Sequence, residues 1–166
     1  MELYIIQHAE AFTETENPQR PLNSRGISDI KRVAAFLKEA QVSTNTIFHS
    51  NKRRAQQTAR ILADTLNSAA NVSVKEGLAP DDPTDIILRE IFGRNTDLMI
   101  VGHLPYISKL ASRLLTGSED KPFIKFEQGS VLSLSNSEGP WEVKWFITPK
   151  LLSETERVEV WRHPAV

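Results

Sequence analysis

The chain has 166 residues and no cysteine, is 40% apolar and 25% charged, and carries a formal net charge of −1. That is enough apolar material for the core of one domain and too little net charge to draw polyanions without a local patch. It also leaves no thiol for disulfides, thiolate nucleophiles or thiolate metal sites.

In chain order, Leu3 to Ile6 is a short apolar run of the kind a buried parallel strand shows. "NPQRPLNSRG" is a loop by composition. From Ser28 the spacing of Ile30, Val33, Ala34, Leu37 and Ala40 predicts a helix. "NTIFHS" reads as a strand, with Ser50 or Asn51 as N-cap of a helix whose Ala55, Thr58, Ala59, Leu62 and Leu66 share a face. "VSVKE" is a third strand, and Pro83 opens a helix running to about Arg94. "DLMIVGH" is the clearest buried strand. Pro105 then opens a helix through Leu110, Leu114 and Leu115, closed by Gly117. "GSVLSLSN" and "WEVKWFITP" form a hairpin, the second alternating Trp141, Val143, Trp145 and Ile147 against Glu142, Lys144, Phe146 and Thr148. The C-terminal "SETERVEVWRHPAV" is polar and ambiguous.

Strands alternating with helices imply an α/β three-layer sandwich, a mostly parallel central sheet with an antiparallel edge and helices on both faces. A single domain over residues 1–166 is expected. No apolar run approaches a membrane span, and the apolar part of "MELYIIQHAE" is too short for a signal peptide, so a cytoplasmic protein is expected.

Ligands of such sheets bind outside the carboxyl ends of the strands. His8, Ser50 and His103 each end a strand, and Arg54 follows Ser50 within the first turn of a helix. Two imidazoles and a guanidinium on one sheet edge can hold a phosphoryl dianion. Arg offers a fork that matches phosphate oxygens, and the helix start adds backbone N–H donors. A neutral imidazole can attack phosphorus, and a protonated one can donate to an equatorial oxygen. Structural roles suffice for His49 and His163, and Lys52, Arg53 and Arg60 read as a solvated basic face. With no aromatic residue interleaved in "NKRRAQQTAR", a nucleic-acid role is not expected. Without clustered carboxylates or an HExxH motif, no metal or other cofactor is expected.

"QHAEA", "RPLNSRG", "SNKRRAQQTA" and "VGHLP", in this order, resemble the signatures of the histidine phosphatase superfamily, and most closely its small SixA-type phosphohistidine phosphatases. The resemblance covers roughly residues 3 to 117. It implies a metal-independent phosphatase working through a phosphohistidine. His8 resembles the nucleophile, Arg54 the family's second phosphate-binding arginine and His103 its second histidine. It also implies a phosphohistidine on a protein, or a small phosphomonoester, as substrate.

Three positions depart from the family pattern. Gln7 stands where the family has arginine, Ala9 where it has glycine, and Asn51 where it has proline. Ala9 is tolerable only at negative φ. Gln7 replaces a charged fork by one neutral NH₂ group and an oxygen. Its loss of a charge-assisted donor is worth on the order of 1.5–3 kcal/mol. Gln7 should also let His8 keep its proton to higher pH than an arginine there would. Asn23 has two open roles, donation to phosphate or capping of the following helix. The resemblance makes Glu76, Asp81 and Asp82 candidate general acids, since larger family members place a carboxylate in this loop, but solvated loop carboxylates, with Asp82 capping the helix at Pro83, are the simpler reading of each. A phosphate-binding module weakened at Gln7 is the alternative from outside the enzymes.

Overall fold

The computed structural model describes residues 1–67, 69–137 and 139–153. His163 and the polar C-terminal stretch after Ser153 lie outside the described residues.

Six strands form one sheet in the order β3-β2-β4-β1-β5-β6. β1 (Glu2–Gln7), β2 (Thr46–His49), β3 (Asn71–Val74) and β4 (Leu98–Gly102) are mutually parallel. β5 (Val131–Ser135) runs antiparallel to both β1 and β6 (Glu142–Ile147), which gives the sheet its antiparallel margin. The central strands are buried on both faces, which explains their unbroken apolar runs. Tyr4, Ile6, Met99 and Val101 pack under α1 (Ser24–Glu39) and α2 (Arg53–Leu66). Leu3, Ile5, Leu98 and Ile100 pack under α3 (Asp85–Phe92) and α4 (Tyr106–Thr116) on the other face. The three expected layers are therefore present.

Several boundaries differ from the sequence pattern, each for a local reason. α1 begins at Ser24, a turn before Ser28, because Asn23 caps it: Asn23 Oδ1 accepts the Gly26 N–H at 2.8 Å. That first turn carries no apolar stripe, so periodicity is silent there. Gly26 is required instead by close approach, since a Cβ would lie 2.0 Å from the Glu10 carbonyl oxygen. α2 has Lys52 at its N-cap, not Ser50 or Asn51, and the Ser50 hydroxyl is engaged elsewhere. α3 starts at Asp85 and ends at Phe92, and Asp82 does not cap it. Asp82 closes its own loop by accepting the Ala79 N–H at 2.8 Å. Gly117 ends α4 at φ 78, as its position suggested.

The alternation in β6 is interrupted. A register shift between Ser133 and Leu134 lets the strand change face. Trp141 then packs with the α3/α4 layer, whereas Trp145 and Ile147 pack on the α1/α2 side.

Candidate active site

β2, β4 and β1 are adjacent, so their carboxyl ends bring Ser50, His103 and His8 together. The His8 and His103 rings lie 4.9 Å apart, centroid to centroid, tilted by 53°. Both are buried, at 6% and 2% exposure. The first turn of α2 reaches over them, and Arg54 Nε donates to His8 Nε2 at 3.2 Å.

The hydrogen bonds fix the His8 tautomer. Its Nδ1 lies 2.7 Å from the Ala9 carbonyl oxygen, which can only accept, so Nδ1 carries the proton. In the neutral ring Nε2 then holds the lone pair, in agreement with the Arg54 donor aimed at it. Burial pushes the His8 pKa down to about 4; the Ala9 hydrogen bond opposes this, while the positive charges of Arg54 and Arg20 add to it. His8 is therefore neutral near pH 7. The neutral ring is therefore not scarce near pH 7, although Gln7 stands where an arginine would lower the pKa further. Burial dominates, and Arg54 and Arg20 supply positive charge that an arginine at position 7 would have contributed.

His103 is likewise lowered, to about 3, by burial first and then by His8, Arg54, Lys52 and Arg20. Its Nε2 lies 2.5 Å from Ser50 Oγ, and its buried Nδ1 has no partner among the described residues. The Lys52 N–H donates to the same hydroxyl at 3.3 Å. Ser50 thus ties the second histidine to the start of α2.

The departures from the family pattern are accommodated unequally. Ala9 avoids positive φ, since Arg20 and Gln41 are the only non-glycine residues described there, and its N–H donates to Thr58 Oγ1 at 3.1 Å. Gln7 is 8% exposed and its Oε1 is buried without a partner among the described residues. Its backbone carbonyl and that of His8 both accept the Gly129 N–H, at 3.1 and 3.2 Å, and Gly129 sits at φ 81, which favours glycine. Asn23 belongs to the cap. Its Nδ2 donates to Glu10 Oε1 at 2.7 Å, so both ends of its amide serve the loop–helix junction rather than the pocket.

Outside the histidine pair lies an open groove of about 740 Å³. Its cationic wall is Arg20, Lys52, Arg53 and Arg54, with Glu14 as its one carboxylate among the described residues. Lys52 and Arg53, read from sequence as a solvated face, are exposed and line this groove. Arg20 was missed. Its φ of 47 is held by the Arg20 N–H on the Asn17 carbonyl at 2.8 Å and by Arg20 Nε on the Phe12 carbonyl at 3.3 Å. The available signal was its place in "RPLN". Glu76, Asp81 and Asp82 do not line the groove. His49 is buried, with Nδ1 2.7 Å from the Ser50 carbonyl oxygen, which fits its structural reading.

Two buried neutral histidines make stability fall in acid. Each has a native pKa below its unfolded value of 6.5, so below pH 6.5 only the unfolded state takes up the proton. Stability should be full above pH 6.5 and decline as pH falls toward 4. His8 alone accounts for on the order of 3 kcal/mol, at about 1.4 kcal/mol per unit. Urea unfolding at pH 7, 6 and 5 tests this above most carboxylate titration. His8→Asn should flatten the slope, and a wild type equally stable at pH 7 and 5 would contradict it.

The model of the histidine phosphatase superfamily (branch 1) matches residues 3–80. The chain belongs to the histidine phosphatase superfamily. Within it, the chain is 23% identical over 154 residues to the phosphohistidine phosphatase SixA of Escherichia coli (strain K12), covering 90% of this chain and 94% of that protein. It is 32% identical over 124 residues to an uncharacterised protein of Picosynechococcus sp., covering 70% of this chain and 74% of the relative. The solved structure of the protein histidine phosphatase SixA complexed with tungstate superposes with a TM-score of 0.81 at 24% identity, covering 92% of this chain and all of that one. The α-ribazole phosphatase of Shigella flexneri shares this superfamily fold as well, with a TM-score of 0.71 at 18% identity, covering 90% and 97%. The fold thus serves phosphatases of both protein and small-molecule substrates. Among the described residues, no helix is long and apolar enough to cross a membrane.

Proposed function

We propose that this chain is a metal-independent phosphatase that takes a phosphoryl group onto His8 Nε2 and passes it to water, and that its substrate is a phosphohistidine on a protein. The observation that carries the reading is the His8 ring itself. Its Nδ1–H is held by the Ala9 carbonyl, and its lone-pair nitrogen faces Arg54 beside a second buried histidine.

The arriving dianion draws the Arg54 guanidinium from Nε2 onto phosphoryl oxygens, where its fork fits. The freed lone pair forms the N–P bond as the bond from phosphorus to the leaving group breaks. The leaving imidazole departs with that electron pair and carries a proton. The charge of the bound phosphoryl group raises the His103 pKa, so His103 takes up a proton and donates to an equatorial oxygen. Ser50 holds its ring for this role. In the second half, water attacks phosphorus, the N–P pair returns to His8 Nε2, and both protons of the water leave on inorganic phosphate. Arg20 and Lys52 add positive charge that Gln7 does not supply.

A protein phosphohistidine is favoured because its imidazole leaves readily once protonated, whereas an alkyl phosphate needs an acid. Among the described residues, the groove's one carboxylate is Glu14, and Glu76, Asp81 and Asp82 do not line it. The shared fold with α-ribazole phosphatase keeps a small phosphomonoester as the second reading. Incubation with a phosphohistidine protein and with p-nitrophenyl phosphate separates them. Faster turnover of the phosphohistidine supports the first reading and faster turnover of the ester the second. Phosphate binding without turnover of either would mean a binding module.

The mechanism asks for no Lewis acid, and no cluster of three or more His, Cys, Asp or Glu among the described residues is placed to hold a metal ion. Turnover should survive EDTA unchanged. Loss of activity in EDTA, restored by Mg²⁺ or Zn²⁺, would contradict the metal-free route.

A further inference from the structure

The cationic groove does not end at the phosphoryl site. Arg53 and Gln56 line it and also line a second depression of about 390 Å³ along α2. The floor of that depression is apolar, formed by Leu22, Ile27 and Ile61, and Arg60 stands on its rim. Leu22 is fixed there by its N–H, which donates to Gln57 Oε1 at 2.8 Å. Arg53, Gln56, Gln57, Arg60 and Ile61 recur at helical spacing, so the surface is a stripe about 12 Å long on one side of α2.

The distribution of ion pairs sets this stripe apart. Of the nine described arginines, Arg25, Arg32, Arg94 and Arg113 lie within 4.0 Å of a carboxylate. Of the five that do not, Arg20, Arg53, Arg54 and Arg60 line the two connected depressions. Lys52, also without a carboxylate partner among the described residues, lines the first of them. Lysines without a carboxylate partner are spread over the surface, but the arginines without one gather beside this partly apolar channel, where Glu14 is their one described counter-charge and Arg54 makes the link to His8.

We propose that the α2 stripe docks an acidic protein segment bearing apolar side chains, next to the phosphorylated residue of the substrate. This rests on the phosphatase reading and adds to it a recognition surface outside the reacting groups. Carboxylates of the segment pair with Arg53 and Arg60, and its apolar side chains cover Leu22, Ile27 and Ile61. A small phosphomonoester fills only the inner end and leaves the stripe empty. A nucleic-acid strand fits less well, because among the described residues no aromatic side chain lines the channel for bases to stack on.

The test uses three phosphoryl donors: a 20-residue phosphohistidine peptide flanked by Glu and Leu, the same peptide with Lys for Glu, and phosphoimidazole. Wild type should prefer the acidic to the basic peptide by about tenfold or more in kcat/KM, expressed in KM. Arg60→Glu should abolish that preference and leave phosphoimidazole turnover within twofold, and Arg60→Lys should restore the preference. Equal turnover of the two peptides, or an equal loss on phosphoimidazole, would overturn the docking surface while leaving the phosphatase standing. If wild type turns over none of the three, the phosphatase reading falls. Fluorescence anisotropy of the labelled, unphosphorylated acidic peptide then decides the groove: binding weakened by Arg60→Glu sustains it, and no binding overturns it. Oligouridylate binding as tightly as the acidic peptide would also overturn it.

Discussion

His8→Ala is expected to lower kcat by at least about 10³-fold on any phosphoryl substrate, because no other group of the site carries a lone pair so placed. His103 does not substitute for it. Its Nε2 is tied to Ser50, and its ring lies 4.9 Å from the His8 ring, so attack from it would need a different substrate pose. Arg54 and the groove cations remain in the variant, so inorganic phosphate should still bind within about tenfold of wild type, the equivalent of about 1.4 kcal/mol. Steady-state kinetics with phosphate as competitive inhibitor checks both halves. A variant that keeps more than a tenth of wild-type kcat would remove His8 from the chemistry.

Gln7→Arg is expected to raise kcat/KM by about tenfold to a thousandfold, the worth of one charged donor to developing negative charge. The variant also removes an amide oxygen that is buried without a partner among the described residues. The acidic limb of the pH–rate profile, by contrast, should hardly move. Burial is the main reason that the His8 pKa lies near 4, so an added arginine finds the nucleophile already neutral at pH 7. The gain should therefore be nearly the same at pH 6 and pH 8. A rate unchanged or lowered by the substitution would show that Gln7 is adapted to its substrate, with Arg20 and Lys52 sufficient for charge.

The sheet was legible because its central strands are buried on both faces, and that burial writes unbroken apolar runs such as "LYII" and "LMIV". The convergence of His8, Ser50 and His103 followed from their positions at strand ends. What could not be read depends on contacts between distant segments. The start of α1 is set by Asn23 together with a glycine that lies against the Glu10 carbonyl. The face change in β6 is set by a register shift against β5. The protonation of His8 depends on burial, on Arg54 and on Arg20, which sits at a positive φ that the sequence does not announce. The groove along α2 was hidden because a run of cations reads as a solvated face until the fold shows that, among the described residues, Glu14 is the one carboxylate that lines it.

The most direct measurement is to trap the intermediate. Wild type is mixed for milliseconds with a phosphohistidine peptide labelled at the phosphoryl group, quenched in base, digested and mapped by mass spectrometry. The expected result is a base-stable, acid-labile label on the peptide that contains His8, formed before phosphate is released and absent from His8→Ala. Phosphate release with no labelled histidine, or with the label on another residue, would contradict a phosphoryl transfer through His8.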